Sequence, residues 1–439
     1  MGSAKRSSIH QLTAAAEGFF AGSVPVDEAQ ALIAQWIKPV AAIEKAALRE
    51  CLGRVLGESV RSTVNVPPHD NSAMDGWAVR YPDLNPEGTT QLKIESGASW
   101  AGRPWKGASV KPGHAVRVFT GALIPVGSDT VVAQEQTQID PSTDQLTILP
   151  GQRAGQHRRL SGDDLAVGQI ALAAGTLIGP AELGLAASLG LSELPVRRRL
   201  RVVLFSTGDE LRSIGETLGS GEIYDSNRHA LWAMLRRLEF DIQDLGIVRD
   251  DPVTLGEAIQ GAALGADAIV SSGGVSVGEA DFAREVLNKV GEVAFWTLAI
   301  RPGRPLAIGQ IGSAAYFGLP GNPVAALVTF LFVVRDALLQ LAGANPKALV
   351  TVPVRCAHAL RKGTGRTEYH RAIVRRSIEG HLDEGHPNKG HLEAVSAGPQ
   401  GSGQLRTMVE ANAILILPAD RGYIAEGDPV EALLFDGLL

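Results

Sequence analysis

The spacing of apolar and polar positions changes several times along the chain, and each change marks a different kind of structure. After Asp27, a residue suited to N-capping, Ala, Leu, Ile and Trp recur on one helical face, which predicts a helix through Cys51. From about 55 to 149 the period shortens. Leu92–Ile94, Ala115–Phe119 and Thr130–Ala133 lie between Gly, Pro and Asp turns, the texture of an antiparallel β domain. Pro180 then opens an Ala/Leu-rich helix up to Gly190. Helical texture on both sides of the β segment implies that a β domain, 55–149, is inserted into a helical one made of 1–54 and 150–192.

Between 200 and 342 short apolar runs alternate with helical ones. Val202–Phe205, Ile242–Val248, Ala268–Val270, Val293–Leu298, Leu306–Ile308 and Tyr316–Phe317 read as strands. Ser226, Pro252, Asp281 and Pro323 open helices. This alternation predicts a mostly parallel, doubly wound α/β domain over 193–345, with ligands at the carboxyl ends of its strands. After Gly343-Ala344-Asn345-Pro346 the pattern is β again, in Val350–Arg355, His370–Arg376, Ala413–Leu417 and Val430–Phe435, so 346–439 is a C-terminal β domain.

Composition narrows the function. The 439 residues suit about two to four domains. They are 45% hydrophobic and 20% charged, enough for substantial cores. A net charge of −6 argues against a nucleic-acid binder but leaves room for local basic pockets. Two isolated cysteines, Cys51 and Cys356, build neither a disulfide framework nor a cysteine-rich zinc site, as in a reducing compartment. Gln11, Thr13 and Glu17 spoil a signal peptide, and no run approaches the roughly 20 apolar residues of a membrane span. A cytoplasmic protein without membrane association is expected.

The chemistry lies in loops. Glu210 follows the first parallel strand, Asp250 and Asp251 the second, and Asp281 the Gly-rich loop after the third. These loops share one sheet edge, so Glu210, Asp250 and Asp281 can converge. Clustered carboxylates repel unless a cation lies between them, and oxygen-only ligands suit Mg²⁺. For each acid alone, helix capping is an equal alternative. The loop from Ser271 to Gly278, with Ser272, Gly273, Gly274 and Ser276, offers backbone N–H groups to a phosphate. In Arg301-Pro302-Gly303-Arg304-Pro305 two guanidinium forks on a stiff segment suit a tetrahedral oxyanion. Gly318-Leu319-Pro320-Gly321-Asn322-Pro323 allows close approach of a ligand. Asp75 before Gly76 reads as a turn residue or a catalytic carboxylate, and Thr120 opens a loop between strands. Arg371 with Ser402 makes a further oxyanion pair. Spacing alone thus reaches a protein that binds a phosphorylated small molecule and a metal.

These segments together resemble the MoeA family, the molybdopterin molybdenumtransferases, whose domain also occurs in gephyrin and in plant molybdenum-cofactor proteins. The resemblance rests on PPHDNSAMDGWA (67–78), TGALIP (120–125) with GSDTVV (127–132), STGDEL (206–211), DSNRHAL (225–231), SSGGVSVGEADF (271–282), RPGRP (301–305), GLPGNPVAALVTF (318–330) and QGSGQLRTM (400–408), in the family's order. It implies that 193–345 is a MogA-like molybdopterin-binding domain and that the C-terminal domain is barrel-like. It also implies a homodimer with the active site between subunits, so that Asp75 and Thr120 of one chain meet the 206–305 loops of the other.

The implied reaction inserts molybdate into adenylylated molybdopterin with release of AMP. Glu210, Asp250 and Asp281 would hold Mg²⁺, Ser272, Gly273, Gly274 and Ser276 the phosphate, and Arg301, Arg304, Arg371 and Ser402 the molybdate, beside Pro320 and Asn322. A MogA-type adenylyltransferase is the implied partner that supplies the substrate. The family's usual segment is PGKP after a lysine, where this chain has Arg301 and Arg304. His69 stands for a common aromatic and Trp77 for a common Tyr. Two other functions fit less of the chain: a molybdopterin adenylyltransferase, and a non-catalytic cofactor-binding scaffold. Molybdate and tungstate share shape and charge, so the sequence does not separate them.

Overall fold

The strand Arg201–Thr207 organises the molecule, because six of its seven residues are buried and its two faces feed different cores. Val202 and Leu204 join one apolar cluster, Val203 and Phe205 another. A strand buried on both faces reads as a continuous apolar run rather than an alternating one. The computed structural model describes residues 14, 23–40, 42–274, 281–377, 391–436 and 438, with residues 281 and 282 described by backbone alone.

Six strands form the central sheet, in the order Asp241–Val248, Arg201–Thr207, Ala268–Ser272, Ala314–Leu319, Pro305–Ile311 and Glu292–Thr297. The first four are parallel; Pro305–Ile311 runs antiparallel to them, and Glu292–Thr297 pairs antiparallel with it at the edge. The helices Pro252–Ala263 and Asp281–Val290 lie on one face. Asn227–Arg237, Val26–Trp36 and the helical run Pro323–Leu341 lie on the other. This is the doubly wound arrangement read from the sequence. Pro323–Leu341 is nevertheless long and apolar enough, by length and composition alone, to cross a membrane, contrary to the expectation that no run approaches that length. Most of it is buried inside this protein, with Val324, Val328, Phe330 and Leu338 in the core.

The helix expected over 27–51 ends at Trp36, and Ile37 is already extended. Pro39 explains the stop, since a proline disfavours the α conformation of the residue before it. Ile43–Ala47 is a strand instead, paired antiparallel with Glu193–Arg197. The segments flanking the inserted domain are therefore less helical than expected. They hold the helix Pro180–Ser188, the Ile43–Ala47 pair, and Val60–Arg61 against Ile170–Leu172, around Cys51, Leu56, Ile178 and Leu194. The inserted domain is a six-stranded sheet running from Gly76–Val79 to Gln145–Ile148. Both cysteines are free and buried, and burial pushes both thiols up.

The C-terminal strands Thr367–Arg376, Leu392–Ser396, Val352–Cys356, Pro429–Leu434 and Ala413–Leu417 close into a five-stranded barrel. A sixth strand, Ile300–Arg301, belongs to the α/β domain and pairs in parallel with Thr367–Glu368 of the barrel. That pairing, with the barrel's Tyr369, Ile414 and Leu433 in the core shared with Phe332, seats the barrel against the α/β domain.

Candidate functional site

The carboxyl edge of the sheet is held together by one asparagine. Asn227 Nδ2 donates to Ser272 Oγ at 2.8 Å and to the Gly321 carbonyl at 2.7 Å, so it ties the Gly-rich loop to the Pro320-Gly321-Asn322 loop. Ser272 Oγ donates onward to the Pro320 carbonyl at 3.2 Å, and Gly273 N–H to the Leu319 carbonyl at 3.1 Å. The Ser272 hydroxyl and the Gly273 N–H are thus engaged within the protein. Gly273 serves instead by having no side chain: at φ +95° a Cβ would fall 2.1 Å from the Thr207 carbonyl oxygen. Below Asn227, the Asp225 carboxylate accepts from Ser206 Oγ at 3.1 Å and from Arg228 Nε at 2.9 Å, which fixes the start of the helix.

The acidic residues divide into two roles. Asp251 caps the helix Pro252–Ala263, with Oδ1 accepting from the N–H groups of Val253 and Thr254, which hold its carboxyl below the usual range. Asp250 instead accepts from Thr207 Oγ1 at 3.1 Å, at the end of the neighbouring strand. Glu210 lies exposed on the loop after that strand, and its carboxylate packs over Gly208. Asp281 opens the next helix; its side chain lies outside the described residues, as does all of Ser276. Among the described residues no group of three Asp, Glu, His or Cys stands in metal-binding reach. The donors on this edge are oxygens, as Mg²⁺ requires.

Beyond Pro320 the edge opens into a cleft of about 630 Å³. Arg301, Arg304, Pro320, Asn322 and Ser402 all line it, together with Arg366 and Gln400 from the barrel side. Among the described residues no carboxylate does. The turn carrying the two arginines needs Gly303, where φ is +103° and a Cβ would stand 2.3 Å from Thr329 Oγ1. Behind Arg301 sits Glu368, only 3% exposed. One carboxylate oxygen is 3.6 Å from Arg301 Nη1, the other 2.9 Å from His370 Nε2.

Burial pushes His370 below the usual imidazole range, the Arg371 and Arg301 charges push the same way, and Glu368 pulls it back. With a depressed folded pKa, the unfolded chain takes up this proton first as the pH drops below 6.5, the ordinary imidazole value. The contribution of His370 to stability is therefore present above 6.5 and lost on acidification. The unfolding midpoint should fall between pH 7 and pH 5, and by less in His370→Gln; equal slopes in urea titrations would refute this assignment.

Two predicted site groups lie elsewhere. Arg371 is fully buried and does not line the cleft. Its guanidinium donates to the carbonyls of Pro399 (3.1 Å), Gln400 (3.3 Å) and Gly401 (3.0 Å) and to Thr407 Oγ1 (3.0 Å). An arginine with its donors committed in this way holds the loop that carries Ser402 rather than an anion. Asp75 and Thr120 pair with each other in the inserted domain. Thr120 donates to Asp75 Oδ1 through N–H at 2.8 Å and through its hydroxyl at 2.7 Å, which keeps that carboxyl below its ordinary range. No hydrogen bond joins this pair to the α/β loops among the described residues.

Sequence reasoning missed Asn227, Arg366, Glu368 and Gln400 as parts of this site. Asn227 sits inside DSNRHAL, so its motif was visible although its role was not. Arg366 and Glu368 precede the predicted strand His370–Arg376, and only strand pairing brings them to the cleft.

A doubly wound α/β domain that shares an arginine-lined cleft with a small β barrel defines a multidomain protein with a basic cleft between domains. Three family descriptions match the chain in order: "MoeA N-terminal region (domain I and II)" at 24–190, "Probable molybdopterin binding domain" at 203–340 and "MoeA C-terminal region (domain IV)" at 353–435. The chain is 38% identical over 404 residues to the molybdopterin molybdenumtransferase of Haemophilus influenzae, covering 89% of this chain and 94% of that protein. To the Nostoc protein of the same name it is 37% identical over 388 residues, covering 87% and 86%. The Pyrococcus horikoshii molybdopterin biosynthesis moeA structure superposes with a TM-score of 0.74 at 27% identity, covering 94% of this chain and all of that one. The chain belongs to the MoeA family.

Proposed function

We propose that this protein is a molybdopterin molybdenumtransferase, which transfers molybdenum from molybdate to adenylylated molybdopterin with release of AMP. The observation that carries the reading is the cleft. Arg301, Arg304 and Ser402 face it, no carboxylate lines it among the described residues, and it adjoins the Gly-rich loop through Pro320 and Gly321. The name of the Haemophilus influenzae and Nostoc relatives supports the same activity. Guanidinium forks offer a tetrahedral oxyanion charge-assisted, bidentate hydrogen bonds. The neighbouring loop takes the pterin's phosphates, and Gly273 lets that loop pack close against the end of the strand at Thr207.

Glu210, Asp250 and Asp281 would hold Mg²⁺, which supplies charge neutralisation for cleavage of the phosphoanhydride to AMP. Thr207 orients the Asp250 carboxylate for that role. The active unit is a homodimer in the cytoplasm, with Asp75 and Thr120 of one chain facing the loops of the other. Thr120 keeps Asp75 ionised, ready to orient a water or a metal. A MogA-type adenylyltransferase supplies the substrate.

The test is reconstitution with adenylylated molybdopterin, Mg²⁺ and molybdate or tungstate, assayed for AMP and active cofactor. Arg304→Gln should raise the half-saturating molybdate concentration about tenfold, as expected for one lost charge-assisted contact. Formation of adenylylated pterin from molybdopterin and ATP, with no AMP release on molybdate addition, would overturn the reading in favour of an adenylyltransferase.

A further inference from the structure

The cleft holds a cation that its own chemistry leaves unexplained. Arg366 lines the cleft from the barrel, and the turn that carries Arg301 and Arg304 lines it from the α/β domain. Its guanidinium makes no hydrogen bond or ion pair among the described residues, and the same is true of Arg304. The backbone around Arg366 is nevertheless fixed. Lys362 Nζ donates to the Arg366 carbonyl at 2.9 Å, and the next residue, Thr367, donates its N–H to the Ala299 carbonyl at 3.0 Å. Parallel pairing of Thr367–Glu368 with Ile300–Arg301 then sets Arg366, the residue just before the barrel strand, near Arg301 of the α/β domain.

The charge count is unbalanced. Three guanidiniums line the cleft. The nearest buried carboxylate, Glu368, stands behind the wall, 3.6 Å from Arg301 and 2.9 Å from His370, and so is shared on the far side. Like charges gathered around a cavity without a counter-ion repel each other, and an anion between them removes that repulsion.

We infer that Arg366 is a third oxyanion-binding arginine, which closes on a free tetrahedral oxyanion from the barrel side while Arg301 and Arg304 hold it from the α/β side. The ligand then bridges two domains, and its recognition depends on their docking. This rests on the reading of the cleft as the molybdate pocket.

Calorimetric titration of the full-length protein separates the two ideas, with inorganic molybdate in one arm and AMP in the other. Wild type that takes up no molybdate would overturn the pocket itself. If wild type binds molybdate, Arg366→Gln should weaken it about tenfold and leave AMP unchanged, and Arg366→Lys should recover part of the loss by restoring charge without the fork. The unfolding midpoint of Arg366→Gln should equal or exceed that of wild type, since a repelled charge is removed and no partner is lost. Unchanged molybdate affinity in a folded Arg366→Gln, or a loss confined to AMP, would overturn the assignment of Arg366 while leaving the pocket standing.

Discussion

Arg371→Ala is expected to cost the C-terminal barrel on the order of 3–5 kcal/mol, the scale of losing a buried, multiply bonded charge. Arg371 is fully buried and meets three successive carbonyls, Pro399, Gln400 and Gly401, together with Thr407 Oγ1. Gln400 reciprocates: its Oε1 accepts from the Arg371 N–H at 2.8 Å, and its Nε2 donates to the Arg371 carbonyl at 3.0 Å. Truncation removes the guanidinium donors of the Pro399 and Gln400 carbonyls, leaves the Gly401 carbonyl only the Gln404 N–H at 3.3 Å, and opens a cavity beneath them. Gln400, Gly401 and Ser402 line the cleft, so molybdate binding should be lost along with stability. Arg371→Lys should recover little, because one ammonium cannot span three carbonyls and a hydroxyl in a planar fork. Urea unfolding and molybdate titration of the two variants check this. An Arg371→Ala protein of wild-type stability that had lost only molybdate affinity would show the residue to be a direct ligand instead.

Gly273→Ala should cost about 3 kcal/mol or more and suppress AMP release at least tenfold, since the new methyl has nowhere to go. Its Cβ would stand 2.1 Å from a backbone oxygen, that of Thr207, at a φ of +95°. Either the strand end or the loop must move, and the strand end carries the hydroxyl that holds Asp250. Gly274→Ala is the control. Its Cβ would meet the Thr207 Cγ2 methyl at 3.0 Å and Ala283 Cβ at an ordinary 3.9 Å, with φ +67°, so the left-handed backbone is the main cost, roughly 1–2 kcal/mol. Thermal unfolding and AMP assays on both variants rank the effects. Equal losses would mean that the close approach to Thr207 is not what position 273 requires.

Much of the site could be read from residue types alone, for local reasons. Gly303 and Gly273 stood out because few other residues adopt their backbone angles, and the prolines around Gly303 marked a stiff turn. The guanidiniums of Arg301 and Arg304 do face a cleft, as their spacing suggested. The pair Asp250-Asp251 could not be resolved in the same way. Both acids precede a helix, and only the geometry shows that Asp251 caps it while Asp250 turns to Thr207. Arg371 misled because a charged residue on a strand reads as solvent-facing or ligand-facing. Its partners are backbone carbonyls 28–30 positions away, which carry no signature in sequence.

By itself the sequence determined the parallel core, the β character of the inserted and C-terminal segments, and which loops are rich in glycine, arginine and acid. These follow from short-range rules: buried runs such as Val202–Phe205, helix starts at prolines, and turns that demand glycine. Only the tertiary structure decided which charges face the same space. The two-residue pairing of Ile300–Arg301 with Thr367–Glu368 brings the barrel against the α/β loops, buries Glu368 behind Arg301 and turns Arg366 into the cleft. Electrostatic interactions act through space and backbone hydrogen bonds are blind to residue type, so that convergence has no counterpart in linear spacing.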